Sequence, residues 1–202
     1  MTLPLVVAIT GATGVIYGVE MLKVLKRIGQ PTHLILSESA VRNLKIETDC
    51  TLHDVQALAD VVHNNKDIGA SVASGSFKTK GVVVAPCTIK SLSAIANSFT
   101  ANLVVRATDV ALKERRRVVL MVRETPLHKG HLELMSRCAD LGAVILPPMP
   151  AFYHGPQSIM DLIHQSIGKA LDQFDIEHDL FRRWTGEAHG DASVSRVSAA
   201  AE

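Results

Sequence analysis

Two adjacent residues of opposite charge, Arg123 and Glu124, stand directly after the β-branched run Val118–Val122. A charge at the end of a buried strand is costly to desolvate without a partner, so the pair points to a ligand; a mutual ion pair at the sheet edge is the alternative reading. A second segment, Ala85-Pro86-Cys87-Thr88-Ile89-Lys90-Ser91, sets two hydroxyls and an ammonium at the entry of a predicted helix. The helix dipole there adds to them in favouring a phosphate or an electron-rich ring, and capping alone has no need of Lys90. In Thr10-Gly11-Ala12-Thr13-Gly14 the glycines let backbone N–H groups approach an anion, although a plain βα turn reads the same way. Ser37-Glu38-Ser39 is either a simple N-cap or a pair of hydroxyls turned to the same edge. The stretch from Pro147 to Ser158 is stiffened by prolines and carries Phe152, Tyr153 and His154, which fits a rigid lid over a ligand. Arg106, Asp109 and Lys113 share one helix face by their spacing, and taken alone that reads as an exposed charged face.

Other reactive residue types carry less. Cys50, Cys87 and Cys138 are odd in number, widely spaced and without a C-x-x-C, which argues against a disulfide framework and a zinc site and predicts reduced thiols in the cytoplasm. Cys87 has no His or Asp beside it in sequence and reads as a packed thiol. His128 and His131 lack an evident third ligand and read as surface residues at a helix start, so no metal is expected.

The elements that must position these groups follow from periodicity. Leu3–Ile9, Thr32–Leu36, Gly81–Ala85, Val118–Val122 and Ala143–Leu146 read as strands. Tyr17–Ile28, Ser39–Ile46, Leu52–Val62, Ser91–Ala96, Leu103–Arg115, His131–Leu141 and Ile159–Phe174 read as helices. Such alternation predicts an α/β chain with an open parallel sheet covered on both faces, and ligands bind beyond the carboxyl ends of such strands. Residues 64–80 are polar and read as a loop, whereas 185–202 turn low in complexity and read as a flexible tail behind one domain over 1–184.

A length of 202 residues suits one domain. Lys and Arg number 21 against 20 Asp and Glu, and this balance removes any whole-chain electrostatic case for nucleic acid or an acidic membrane. No charged leader precedes the first apolar run, and no later run approaches the ~18 residues of a membrane span, so no signal peptide and no membrane segment are expected. A mean hydropathy of +0.20 predicts apolar surface that meets another subunit.

Six ordered motifs make the chain resemble the UbiX-like flavin prenyltransferases, a family that includes the small subunit of phenolic acid decarboxylase systems. They are G-A-T-G at 11–14, E-T-D at 47–49, P-C-T-I-K-S at 86–91, R-A-T-D-V-A-L-K-E at 106–114, V-R-E-T-P at 122–126 and P-P-M-P-A-F-Y-H-x-P-Q-S at 147–158 with R-W at 183–184. The resemblance covers about residues 3 to 184. It implies a Rossmann-like (flavodoxin-like) three-layer subunit assembled as a homododecamer. Such a subunit joins FMN to dimethylallyl monophosphate without a metal, giving prenylated FMN for a separate UbiD-like decarboxylase.

By the same resemblance, Gly11, Ala12, Thr13, Ser37, Thr88, Ile89, Lys90, Ser91 and Arg123 would hold FMN. Arg106, Lys113, Tyr153 and Lys169 would hold the prenyl phosphate, with Glu124, Thr13, Glu47 and Trp184 in catalysis. Thr13 stands where the family often has Ser, and Lys169 where it commonly has Arg; hydroxyl and charge are kept. Two other readings remain open: an FMN-binding delivery subunit without chemistry, and a nicotinamide-dependent oxidoreductase using the first glycine turn with Glu38 on the ribose. The latter is weakened by the lack of a full G-x-G-x-x-G.

Overall fold

The structure, a computed structural model, describes residues 2–186. Its strands are β1 (Leu5–Ile9), β2 (Thr32–Leu36), β3 (Val61–Asn64), β4 (Gly81–Cys87), β5 (Arg117–Val122) and β6 (Val144–Ile145). The helices are α1 (Val15–Arg27), α2 (Glu38–Glu47), α3 (Leu52–Gln56), α4 (Ile89–Ala96), α5 (Leu103–Lys113), α6 (Lys129–Asp140) and α7 (Ile159–Asp172), and a 3-10 turn spans Ser71–Ala73. From residue 187 onward the expected tail lies outside the described residues.

All six strands pair in parallel in the order β3-β2-β1-β4-β5-β6. This is the α/β three-layer, Rossmann-like arrangement that the alternation predicts, with its topological switch between β1 and β4. Period-2 alternation divides the core. Leu5, Val7, Ile9, Val83, Ala85, Val119 and Met121 face α1, α2 and α7, whereas Val6, Ala8, Val82, Val84, Val118, Leu120 and Val122 face α4, α5 and α6.

One expectation is corrected. The helix predicted over Leu52–Val62 stops at Gln56, and the chain re-enters the sheet as β3. Asp60 accepts from the Thr32 amide at 2.7 Å through its carboxylate, and its own amide donates to the Thr32 carbonyl at 3.2 Å. These bonds pin the chain beside the start of β2, where β-branched Val61 and Val62 continue as an edge strand. No helix among the described residues is long and apolar enough to cross a membrane.

Candidate functional site

At the switch point the crossovers from β1 and β4 leave toward opposite faces, and a crevice opens beyond the carboxyl ends of the two strands. Thr10 ties its two sides together. Its hydroxyl donates to the Pro86 carbonyl at 2.7 Å and accepts from the Thr88 amide at 2.9 Å. The crevice is a cavity of about 980 Å³ whose lining includes Gly11, Ser37, Thr88, Lys90 and Ser91.

Three helix N-termini meet this cavity. The Ser37 hydroxyl accepts from the Ala40 amide at 3.1 Å and caps α2. The Thr88 hydroxyl accepts from the Ser91 amide at 3.0 Å and caps α4. For α5, the Asn102 side chain accepts from the Val105 amide at 3.1 Å, and Asn65 takes the Leu103 and Val104 amides. The helix ends and Lys90 make the cavity favour an anion, while Leu36, Ala94, Phe99, Val104 and Val105 supply apolar walls. Lys66 is paired with Glu38 at 2.6 Å; among the described residues Lys90 joins no ion pair.

That donor set fits FMN: positive helix ends and Lys90 for its phosphate, serine and threonine hydroxyls for its ribityl chain, and an apolar wall for its ring. The volume lies at the upper end of the roughly 300–1,000 Å³ of small-molecule sites. It does not suit a dinucleotide at α1, because the Glu47 carboxylate already accepts from the Gly14 amide at 2.7 Å and the Val15 amide at 3.2 Å. A pyrophosphate at that helix end would meet an anion in place, which removes the physical basis of the nicotinamide reading.

Arg123 sits at the same end of the sheet, its amide donating to the Cys87 carbonyl at 3.1 Å. Burial pushes the Tyr17 phenol above its ordinary value, and the Arg123 charge pulls it back. Among the described residues Arg123 and Glu124 form no ion pair. The Glu124 carboxylate is exposed and accepts from the Thr125 amide at 3.0 Å. Thr13 is exposed in the β1–α1 turn, where Asn43 donates to the Gly11 and Ala12 carbonyls.

The four residues expected on the prenyl phosphate are divided within one subunit. Arg106 and Lys113 belong to α5, where Arg106 pairs with Asp109 at 3.4 Å and Lys113 with Glu114. Lys169 belongs to α7 on the opposite face and lies 3.7 Å from Asp172. Asp172 also accepts from Arg183 at 2.7 Å, and that bond more than any other holds its carboxyl below the usual range. The strap thus formed carries Trp184 to an edge-on contact with Tyr153, ring centroids 6.2 Å apart.

Cys87 is fully buried and its thiol is pushed far up by desolvation, which makes it the packed, unreactive group its sequence context predicts. His128 accepts from the Gly130 amide at 3.1 Å and stacks on His131 at 3.6 Å between centroids. Among the described residues no three His, Cys, Asp or Glu side chains are grouped to hold a metal ion.

Residues 2–170 match the Flavoprotein family profile. The chain is 55% identical over 192 residues to the flavin prenyltransferase UbiX of Thauera aromatica, covering 95% of this chain and 99% of that protein. It is 56% identical to the flavin prenyltransferase UbiX of Escherichia coli K12, over 90% of this chain and 98% of that protein. Of solved structures, AnUbiX in complex with FMN and dimethylallyl pyrophosphate superposes with a TM-score of 0.91 at 49% identity, covering 93% of this chain and all of that one. A dodecameric FMN-dependent UbiX-like decarboxylase from Escherichia coli O157:H7 gives 0.88 at 44% identity, with coverages of 91% and 100%.

The chain belongs to the UbiX-like flavin prenyltransferase family. Four features of this cavity are not evident in the local sequence: the Thr10 clamp, the Asn65 and Asn102 caps on α5, Lys66 and the Phe99 wall. Asn102 before Leu103 is the partial exception, carrying a local N-cap signature. Asn65 and Lys66 lie in a segment whose place depends on β3, which the helical pattern concealed.

Proposed function

We propose that the chain is a flavin prenyltransferase that transfers the dimethylallyl group of dimethylallyl monophosphate to N5 and C6 of reduced FMN. The product serves a UbiD-like aromatic acid decarboxylase. The observation that carries this reading is the cavity at the β1/β4 switch, with three helix N-termini and Lys90 on an apolar-walled, FMN-sized space. Its support from relatives is the high identity to flavin prenyltransferases and the FMN and dimethylallyl pyrophosphate bound in AnUbiX.

Gly11, Ala12, Thr13, Ser37, Thr88, Ile89, Lys90, Ser91 and Arg123 hold FMN in this reading, and Arg106, Lys113, Tyr153 and Lys169 hold the donor phosphate. When bound, reduced FMN supplies the electron-rich positions that receive the prenyl group. Departure of the phosphate leaves positive character on the allyl group, which the aromatic pair Tyr153 and Trp184 shelters from water in this reading. Arg106, Lys113 and Lys169 stabilise the charge on the leaving phosphate oxygens. The Glu124 carboxylate accepts the proton lost on ring closure, with the Thr13 hydroxyl beside the Glu47-capped turn as a partner in its relay.

Because Lys169 lies on the opposite face of the sheet from Arg106 and Lys113, the complete site draws on more than one copy in this reading. We further propose a homododecamer, as in the dodecameric UbiX-like relative, a single domain over 1–184 and a cytoplasmic location. The alternative, a chain that only binds and delivers FMN, would have no use for Glu124, Lys113 and Arg106. Mass spectrometry of flavin extracted after incubation with FMN, a reductant and dimethylallyl monophosphate separates the two. A prenyl increment is expected, and unmodified FMN would leave only delivery.

A further inference from the structure

A second concavity, of about 410 Å³, lies at the amino ends of the strands. The sheet register sets Gly81 beside Arg117, so Lys80, just before β4, and Arg117, the first residue of β5, enter it as neighbours. A Cβ on Gly81, whose φ is +146, would collide with the Arg117 carbonyl, and glycine is what lets the two strand starts come together. The end of α5 supplies two more cations. The Arg115 amide donates to Leu112 at 3.0 Å and the Arg116 amide to Ala111 at 2.8 Å, a Schellman closure. Such closures put their first residue beyond the cap in the left-handed region and usually use glycine; here Arg115 occupies it at φ 57.

The charge in this concavity is unbalanced. Lys80, Arg115, Arg116 and Arg117 face one lining carboxylate, Asp175. Among the described residues none of the four joins an ion pair, whereas Lys23, Arg27, Lys66 and Lys169 are each matched with a carboxylate. Arg116 is held by the Phe77 carbonyl at 2.7 Å and the Gly75 carbonyl at 2.5 Å, which fix its fork without neutralising it. Glu114, which feels the Arg116 charge, is bound to Lys113. A chain of net charge +1 does not produce such a cluster through overall basicity.

We propose that this concavity is a second anion site, separate from the flavin cavity, that takes a small multiply charged oxyanion of the phosphate or pyrophosphate type. Lys80, Arg115 and Arg117 line the concavity without a carboxylate partner and suit the several oxygens of such a group, with the charge of Arg116 fixed beside them by its two carbonyls, whereas a singly charged anion would leave most of them unused. The seven residues of β4, at ~3.3 Å each, put about 20 Å of sheet between the two sites.

Titration calorimetry of inorganic pyrophosphate into the full chain saturated with FMN, at low salt, tests this. Saturable binding is expected in the parent. It should weaken about tenfold or more in Lys80→Gln/Arg117→Gln, because charge-assisted hydrogen bonds are removed, while FMN affinity stays the same. Since the variant retains Arg106, Lys113, Lys169 and Lys90, the component lost belongs to this site and leaves the flavin reading untouched. Superimposable pyrophosphate isotherms for parent and variant would overturn the proposal, as would binding abolished by FMN. Should the double variant lose its native circular dichroism, Lys80→Gln alone is titrated against the same criterion.

Discussion

Thr10 and Thr88 are joined across the switch point by a hydrogen bond of 2.9 Å from the Thr88 amide to the Thr10 hydroxyl. The same hydroxyl donates to Pro86, so one buried side chain sets the spacing of the β1 and β4 ends on which the flavin cavity is built. Thr10→Val keeps the shape and deletes the oxygen, leaving the Thr88 amide without its acceptor. A loss of about 1–3 kcal/mol in unfolding free energy is expected, with weaker FMN binding, measured by urea titration and flavin fluorescence.

Glu124 has no ionic partner among the described residues and should matter to chemistry more than to folding. In Glu124→Gln, FMN binding and thermal midpoint should match the parent, whereas single-turnover ring closure should slow by roughly 10²–10⁴-fold. Lys113→Ala should instead raise the donor concentration needed for half-maximal rate. Unchanged ring closure in Glu124→Gln would remove this carboxylate from the proton path.

Arg106 and Lys169 lie on opposite layers of one subunit. Arg106→Ala and Lys169→Ala should each be impaired as pure assemblies. When the two are unfolded together and reassembled, mixed oligomers should recover part of the parent activity, since some sites then draw an intact residue from each copy. Mixed assemblies no more active than the separate variants would place both residues in the same subunit's site.

His33 and His63 form a pair on β2 and β3, with Nδ1 and Nε2 2.9 Å apart and Phe77 against His33. Burial pushes both below their ordinary value of 6.5; the charge of His63 adds to this for His33, and Asp60 and Asp67 oppose it. The folded chain thus takes up these protons less readily than the unfolded one. The pair's contribution is complete above pH 6.5 and is lost as the pH falls below that value. The urea midpoint should therefore drop between pH 7.5 and 5.5, and His33→Asn/His63→Asn should flatten that dependence. Equal slopes in the two proteins would show that other groups carry it.

Much of this architecture was legible in local pattern. The alternation of Leu5, Val7 and Ile9 against Val6 and Ala8 announces a strand buried on both faces, and Ser37 and Thr88 announce helix starts at the ends of strands. Once the strands are known to be parallel, residues following them must gather at one edge, which is why Gly11, Ser37, Thr88, Lys90 and Ser91 could be named as lining one site. The resemblance to a known family then assigned roles that periodicity alone does not carry.

Tertiary structure decided the rest, because those features rest on contacts between residues far apart in the chain. Val61 and Val62 continue a helical apolar pattern, and only the bonds between Asp60 and Thr32 turn them into an edge strand. Glu47 reaches the α1 amides from 32 and 33 residues away and makes that helix end unavailable to a pyrophosphate. Trp184 meets Tyr153 because Arg183 is anchored to Asp172 on α7. Residue types and spacing determined the parallel α/β plan and the edge where chemistry gathers. Long-range hydrogen bonds and the two-faced sheet decided which groups share a cavity and which are left on opposite layers, since neither is encoded in any local period of the chain.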